Sequence, residues 1–326
     1  MSAQCATPEG TARYRQRFTD RLAPTHFSKQ HGLVLSSIGI GTYLGNADDA
    51  TDNSYTRSVV RAVELGVNVI DSAANYRFQR SERSIGKALQ QLANDHGIAR
   101  EELVICTKGG HLPFDGAPPR NVREYVGETF VKPGIASFDD IVGGSHCMTP
   151  SYLQSQLEQS LRNMGIECVD VYYIHNPESQ LGYVTDDEFY QRLKLAFERL
   201  EENRRQGKLA HYGVATWNGF RTPPNSGNHH SLTRMVELAR EAGGEQHGFH
   251  FIQLPFNVAM PEAADVVDEA ERLGVTVIAS ASLLQGRIPP QTAIEFVRSV
   301  PGITTALIGM SRVEHVEENL ATDLHG

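Results

Sequence analysis

From about residue 50 onward, apolar and polar positions alternate between two rhythms. One is helical. Tyr55, Val59, Ala62 and Val63 share a face, and so do Ile85, Leu89 and Leu92, then Leu153, Leu157, Leu161 and Met164, then Phe189, Leu193, Phe197 and Leu200. The same spacing returns at Leu232, Met235 and Leu238, at Val266, Ala270 and Leu273, at Ile294 and Val297, and at Val313, Val316 and Leu320. Between these faces lie near-continuous apolar runs, VNVI, LVIC, VDVYYI, YGVA, FIQLPF, VTVIA and TALI, the pattern of parallel strands covered by helices. A short hairpin and a strand from Leu35 to Thr42 precede them, behind a polar leader. Eight strands alternating with eight helices through right-handed crossovers predict a (β/α)8 TIM barrel, with an open doubly wound sheet as the fallback.

The chain of 326 residues shows no composition break after residue 50, so one domain over 1–326 is expected. One connection is too long for the rhythm. Residues 109–148 hold Phe114, Tyr125, Phe130 and Phe138 among scattered charges, with a short helix expected near Asn121–Thr129. This insertion after the third strand reads as an active-site flap or, with nearly equal weight, as an excursion packed on the barrel's side.

Gly39, Gly41 and Gly45 are spaced one residue too far apart for a dinucleotide-binding fingerprint, which argues against a Rossmann domain. A net charge of -9 argues against a nucleic-acid surface. No stretch approaches the apolar length of a membrane span, and a cytoplasmic protein is expected. Cys5, Cys106, Cys147 and Cys168 match no metal spacing and read as reduced thiols. His229, His230, His247 and His250 read as surface residues and not as metal ligands.

Candidate chemistry sits where apolar runs end. VNVI runs into Asp71, with Tyr76 on the following loop; LVICTK closes on Lys108 and VDVYYIH on His175. Barrel enzymes place their chemistry at these carboxyl ends. An unperturbed phenol, with a pKa of about 10, is a poor acid at neutral pH, and a neighbouring ammonium lowers that value. Asp71 would keep Lys108 charged and aimed, and His175 would orient the transfer. Such a set suits protonation of a carbonyl oxygen. No side chain supplies a hydride, so a nicotinamide cofactor is implied.

The motifs GIGTY (39–43), DSAANY (71–76), VICTKGG (104–110), DVYYIHNPE (170–178), FIQLPFN (251–257) and IGMSRVEHVEEN (308–319) resemble the aldo-keto reductase superfamily in order and placement. The resemblance implies Tyr76 as general acid/base within a tetrad with Asp71, Lys108 and His175. It places Gly41, Thr42, Tyr43 and Asp71 near nicotinamide and ribose, and Gln253 on the carboxamide. Ser282, Leu283, Gln285 and Gly286 resemble the pyrophosphate loop, and Ser311, Arg312, His315, Glu318 and Asn319 the adenosine end. NADP is favoured over NAD through Arg312, and the partner is a small carbonyl or alcohol. The chain departs from the family pattern at Thr216, Ser280 and Gly309, and in YRFQRSE after the tyrosine. Arg77, Arg80 and Arg120 are expected near the mouth, where they would suit an acidic or polyhydroxylated substrate; the insertion's aromatics would instead suit sugars or aromatic aldehydes, and small polar aldehydes or sugars are the expected substrates. The alternative is a non-catalytic module that binds the nucleotide on the same fold.

Overall fold

The computed structural model describes residues 5–224, 226–227 and 229–321. The leader is not extended. Thr7 accepts a hydrogen bond from Gly10 N, Pro8 occupies the first turn, and helix α1 (Pro8–Gln16) follows, its Tyr14 buried against the barrel. A hairpin, β1 (Phe27–Gln30) and β2 (Leu33–Ser36), comes next. The strand expected over Leu35–Thr42 is two pieces, because the Asn68 side chain takes the Ser36 N–H and turns the chain from the hairpin into β3 (Ile38–Gly41).

The barrel continues as β3, α2 (Asp49–Glu64), β4 (Val69–Asp71), α3 (Arg80–Asp95) and β5 (Val104–Gly109). The insertion contains α4 (Val122–Val126), after which come α5 (Pro150–Met164), β6 (Val169–His175), α6 (Asp186–Arg205) and β7 (Leu209–Ala215). The chain closes with α7 (Leu232–Gly243), β8 (Phe249–Pro255), α8 (Ala264–Leu273), β9 (Thr276–Ser280), α9 (Pro290–Ser299), β10 (Ile303–Gly309) and α10 (Val313–Ala321). Strands β3 to β10 form one closed parallel barrel in sequence order, β10 pairing with β3. Tyr55 and Val313 apart, the helical faces read from the sequence are those that pack on the barrel's outside.

Strand parity builds the interior. Val69, Val104, Cys106, Val171, Tyr173, Phe251, Ile278 and Leu307 point inward, sealed from below by Leu33 and Leu35 of the hairpin. By the same alternation Asp71, Lys108, His175 and Gln253, each two residues above such a position, turn inward at the top. Gly39 also lies inside, where a Cβ would meet Leu307 Cδ2 at 2.7 Å. Gly39 is therefore a packing feature of the barrel interior.

The insertion folds around Leu112, Val126, Phe130, Ala136 and Cys147 against Tyr152 of α5. Gly116 N donates to Phe78 O, and Arg83 pairs with Asp115, tying it to α3. No helix among the described residues is long and apolar enough to cross a membrane.

Two expectations are corrected at the lower end of the barrel. Cys5 and Cys168 are joined by a disulfide, while Cys106 and Cys147 are free and buried. The segment before α1 runs beneath β6, held by Ala6 N donating to Asp170 Oδ1 at 2.6 Å, which brings Cys5 to Cys168. Nor is His250 a surface residue. It stacks on His31 with ring centroids 4.2 Å apart, and its Nδ1 lies 2.9 Å from that of His211. His247 is buried too, and so, on the loop after β7, is His230, stacked on Phe189.

Burial lowers His211 to about 4 and His250 to about 3, with neighbouring His31 and Arg204 acting in the same direction. Both lie below the unfolded value of about 6.5, so the unfolded chain binds more protons between these limits. Stability is full above about pH 6.5 and falls as pH drops toward 4. The expected result is a melting temperature at pH 4.5 at least about 5 °C below that at pH 7.5, with His250→Gln narrowing the gap. Thermal melts of both proteins across this range check it, and an unchanged gap in the variant would remove the cluster from the account.

Candidate active site

Lys108 is buried at the top of β5, and its Nζ donates to Asp71 Oδ2 at 2.5 Å and to Ser72 O at 2.6 Å. The other carboxylate oxygen of Asp71 accepts from Gln253 Nε2 at 2.8 Å. Above this pair the Tyr76 ring lies 5.0 Å from Lys108 Nζ, with Tyr43 edge-on at 5.0 Å and His175 at 5.7 Å. Four barrel strands thus deliver one carboxylate, one ammonium, one imidazole and one amide to the foot of a loop tyrosine.

Burial dominates the electrostatics. It raises the Asp71 carboxyl, with Lys108 pulling the other way. Burial opposes the Lys108 charge, yet Asp71 and the phenol raise its pKa, so it stays an ammonium. Burial also raises the Tyr76 phenol; Lys108 lowers it but does not prevail. His175 is held well below its usual range by burial, then by His111, Lys108 and His146, and is a neutral imidazole at pH 7. Its backbone carbonyl accepts from His146 Nε2 at 2.8 Å, and His146 Nδ1 in turn faces Gln180 Nε2 at 2.9 Å. The Nδ1 of His175 is buried without a partner among the described residues.

A cavity of about 710 Å³ opens above these groups. Asp71, Tyr76 and His175 line it and Lys108 lies beneath its floor. Gly41, Thr42, Tyr43, Thr216 and Gln253 line the same cavity, as do Ser280 and Gly309. Its long arm runs past Ser282, Leu283, Gln285 and Gly286 to Ser311, His315, Glu318 and Asn319 at α10. Arg312 stands outside the lining, with its Nη2 donating to His315 Nε2 at 2.6 Å.

Features of this arm fit a nicotinamide dinucleotide. Among the described residues the buried Thr216 hydroxyl has no partner, and it lies beside Gln253, as a carboxamide site needs. Leu283, near-right-handed, is followed by left-handed Leu284 and Gln285, a backbone concavity of the kind that receives phosphate. The start of α10 lies beyond, where free amides favour anions.

Sequence reasoning missed part of the lining. His111, at the start of the insertion, borders the cavity and packs edge-on against His175 at 4.9 Å. Trp217 and Asn176 line it too. Glu178 sets the Trp217 loop, its Oε1 accepting from the backbone N–H groups of Trp217 at 2.6 Å and Asn218 at 2.9 Å. The signal for Trp217 was available, since it directly follows Thr216 at a strand end.

The three arginines are a correction. Arg77 turns away from the mouth and is buried, pairing with Asp52 at 2.8 Å. Arg80 pairs with Asp49 and, at 2.7 Å, with Asp52. Arg120 is exposed and outside the lining.

Comparison with known proteins gives this architecture relatives. A candidate voltage-gated potassium channel subunit beta of Schizosaccharomyces pombe is 22% identical over 93% of this chain and 89% of its own length. An NADH-specific methylglyoxal reductase of Escherichia coli is 26% identical over 56% of this chain, an alignment that spans only 49% of that enzyme. Among solved structures, an aldo/keto reductase from Klebsiella pneumoniae in complex with NADP and acetate has a TM-score of 0.59 and 19% identity, covering 89% of this chain and 87% of its own. The family model for the aldo/keto reductases matches residues 37–292, which hold Asp71, Tyr76, Lys108 and His175, and the chain belongs to the aldo/keto reductase family.

Proposed function

We propose that the protein is a nicotinamide-dependent oxidoreductase that interconverts a carbonyl and an alcohol, with Tyr76 as general acid/base. The observation that carries this reading is the buried Lys108 ammonium held between Asp71 and the face of the Tyr76 ring, at the floor of a cavity that also has a phosphate-type loop. A bound reduced nicotinamide would supply the hydride to the carbonyl carbon. The chain's own groups handle the proton. Tyr76 donates it to the carbonyl oxygen as negative charge develops there, and Lys108 stabilises the phenolate left behind. Neutral His175 aims the substrate oxygen by hydrogen bonding.

Tyr43 and Trp217, 58% and 45% exposed, line the cavity with flat apolar faces, together with Asn176 and His111. Apart from histidines and tyrosines, the ionisable side chains that line the cavity are the paired Asp71 and the distant Glu318, with no lysine or arginine among them. A neutral, hydroxylated aldehyde suits these walls better than an acidic one. Equal kcat/KM for such an aldehyde and for an acidic one of the same size would remove the preference.

For the cofactor we favour NADP, with Arg312 beside a 2'-phosphate at the start of α10. Fluorescence titration of the protein with NADPH and with NADH tests this. NADPH should bind more tightly, and Arg312→Ala should cost NADPH roughly 10-fold or more in Kd while leaving NADH alone, as expected for a lost charge-assisted hydrogen bond. A second reading, a nucleotide-binding subunit without turnover, is suggested by the channel-subunit relative. Binding of either nucleotide without reduction of any carbonyl in a broad aldehyde screen would select it.

A further inference from the structure

Directly after Tyr76 the backbone makes a conformation that ordinary residues avoid. Arg77, Phe78 and Gln79 all have positive φ, at 46°, 59° and 69°, one after another and with no glycine among them. Left-handed residues with side chains normally occur singly, so a run of three persists only where the surroundings hold it.

The main holding element is the Arg77 guanidinium, whose side chain is 2% exposed. Its Nη1 donates to Asp52 Oδ1 at 2.8 Å and to Asn46 O at 3.2 Å, its Nε to Ser81 Oγ at 3.0 Å, and its Nη2 to Ser84 Oγ at 3.2 Å. Its face lies 4.8 Å from the Tyr55 ring. These partners belong to the segments that surround Tyr76. Asn46 belongs to the loop that carries Tyr43, the ring edge-on to Tyr76. Tyr55 donates to Leu44 O at 2.8 Å, and Ser81 to Thr42 O at 2.7 Å, so both also grip that loop. Gln79 completes the turn by donating to Phe114 O and accepting from Asn163 Nδ2.

We propose that Arg77 is a positioning residue: by locking the left-handed 77–79 turn to the loop that carries Tyr43, it fixes where the Tyr76 phenol stands over Lys108. The proposal rests on the reading of Tyr76 as acid/base. A planar fork with several acceptors around it does this, and no aliphatic chain of similar length replaces it. Arg77 is buried outside the cavity lining, so its loss is read in turnover and not in cofactor affinity.

The test compares Arg77→Met, Ser81→Ala and Tyr76→Phe with the wild type, below their melting temperatures, by steady-state kinetics and NADPH fluorescence titration. Arg77→Met should lower kcat about 10- to 100-fold with the NADPH Kd within about two-fold, since small misplacement of a reacting group costs rates of this order. Ser81→Ala, which removes one acceptor and the grip on Thr42, should lower kcat about 3- to 10-fold and keeps the test open if Arg77→Met does not fold. A merely structural role would lower the melting temperature and leave kcat of the folded enzyme unchanged. Full kcat in a folded Arg77→Met or in Ser81→Ala, with Tyr76→Phe inactive, overturns the positioning role alone. Wild-type turnover in Tyr76→Phe overturns the acid/base reading and the proposal with it.

Discussion

Replacing Tyr76 with phenylalanine is expected to lower the rate of carbonyl reduction by about 10²- to 10⁴-fold, the range for loss of a positioned general acid, while NADPH binding holds. Phenylalanine keeps the ring that faces Lys108 at 5.0 Å and the contacts with Tyr43 and His175, so the fold and the floor of the cavity stay as they are. What disappears is the proton. The pH profile of the wild type carries the same argument. Burial raises the phenol, so Tyr76 remains protonated through neutral pH and reduction should be flat there, falling only as pH rises through the phenol's pKa. Alcohol oxidation needs the phenolate and should climb over that same limb. His175, held well below its usual range, contributes no limb near pH 6 to 7. Stopped-flow reduction of an aldehyde by NADPH measures both effects, and a Tyr76→Phe variant as fast as the wild type would end the assignment of the phenol as the acid.

Much of this site was legible because its information is local. An apolar strand that ends in Asp71, Lys108 or His175 announces both the strand and the residue that turns inward at its top, since alternation along a strand fixes the side. Gly66, Gly165 and Gly274, each with positive φ just past α2, α5 and α8, are helix stops of the same local kind. The residues of the cavity's long arm were read through family motifs and, Arg312 apart, do line one cavity.

The rest depended on contacts between distant segments. Nothing within RFQR says that Arg77 turns from the mouth toward Asp52 of α2, because that choice follows from three left-handed residues held by four separate partners. Cys5 and Cys168 are 163 residues apart and meet only because Asp170 holds the leader beneath β6. The α1 helix carried its signal in Thr7, Pro8 and Glu9, but its polar composition hid the face on which Tyr14 is buried. In the insertion, the aromatic residues announced order without direction. They mostly pack against α5 and one another, and His111 is what they leave at the cavity.

Lys108→Met should separate the two roles of the buried ion pair. Removing the ammonium leaves Asp71 buried and uncompensated, which typically costs about 3–5 kcal/mol, a fall in melting temperature of roughly 6–20 °C for a chain of this size. Asp71, already raised by burial, then takes up a proton more readily in the folded state than in the unfolded one. Folded Asp71 therefore binds more protons than unfolded Asp71 above about pH 4, so the variant's deficit should be larger at pH 8 than at pH 5.5. Adding Asp71→Asn removes the second charge while keeping an oxygen for Gln253 Nε2 to meet. The double variant should regain most of the lost stability, since an ion pair replaced as a unit leaves no orphan charge. Turnover should not return. Without the ammonium, the phenolate formed in the transition state has no counter-charge, and both variants should stay about 10²- to 10³-fold below the wild type. Thermal melts at the two pH values and single-turnover rates decide the matter. A double variant that recovers its rate along with its stability would make Lys108 a support for Asp71 alone, and Tyr76 would need another source of its acidity.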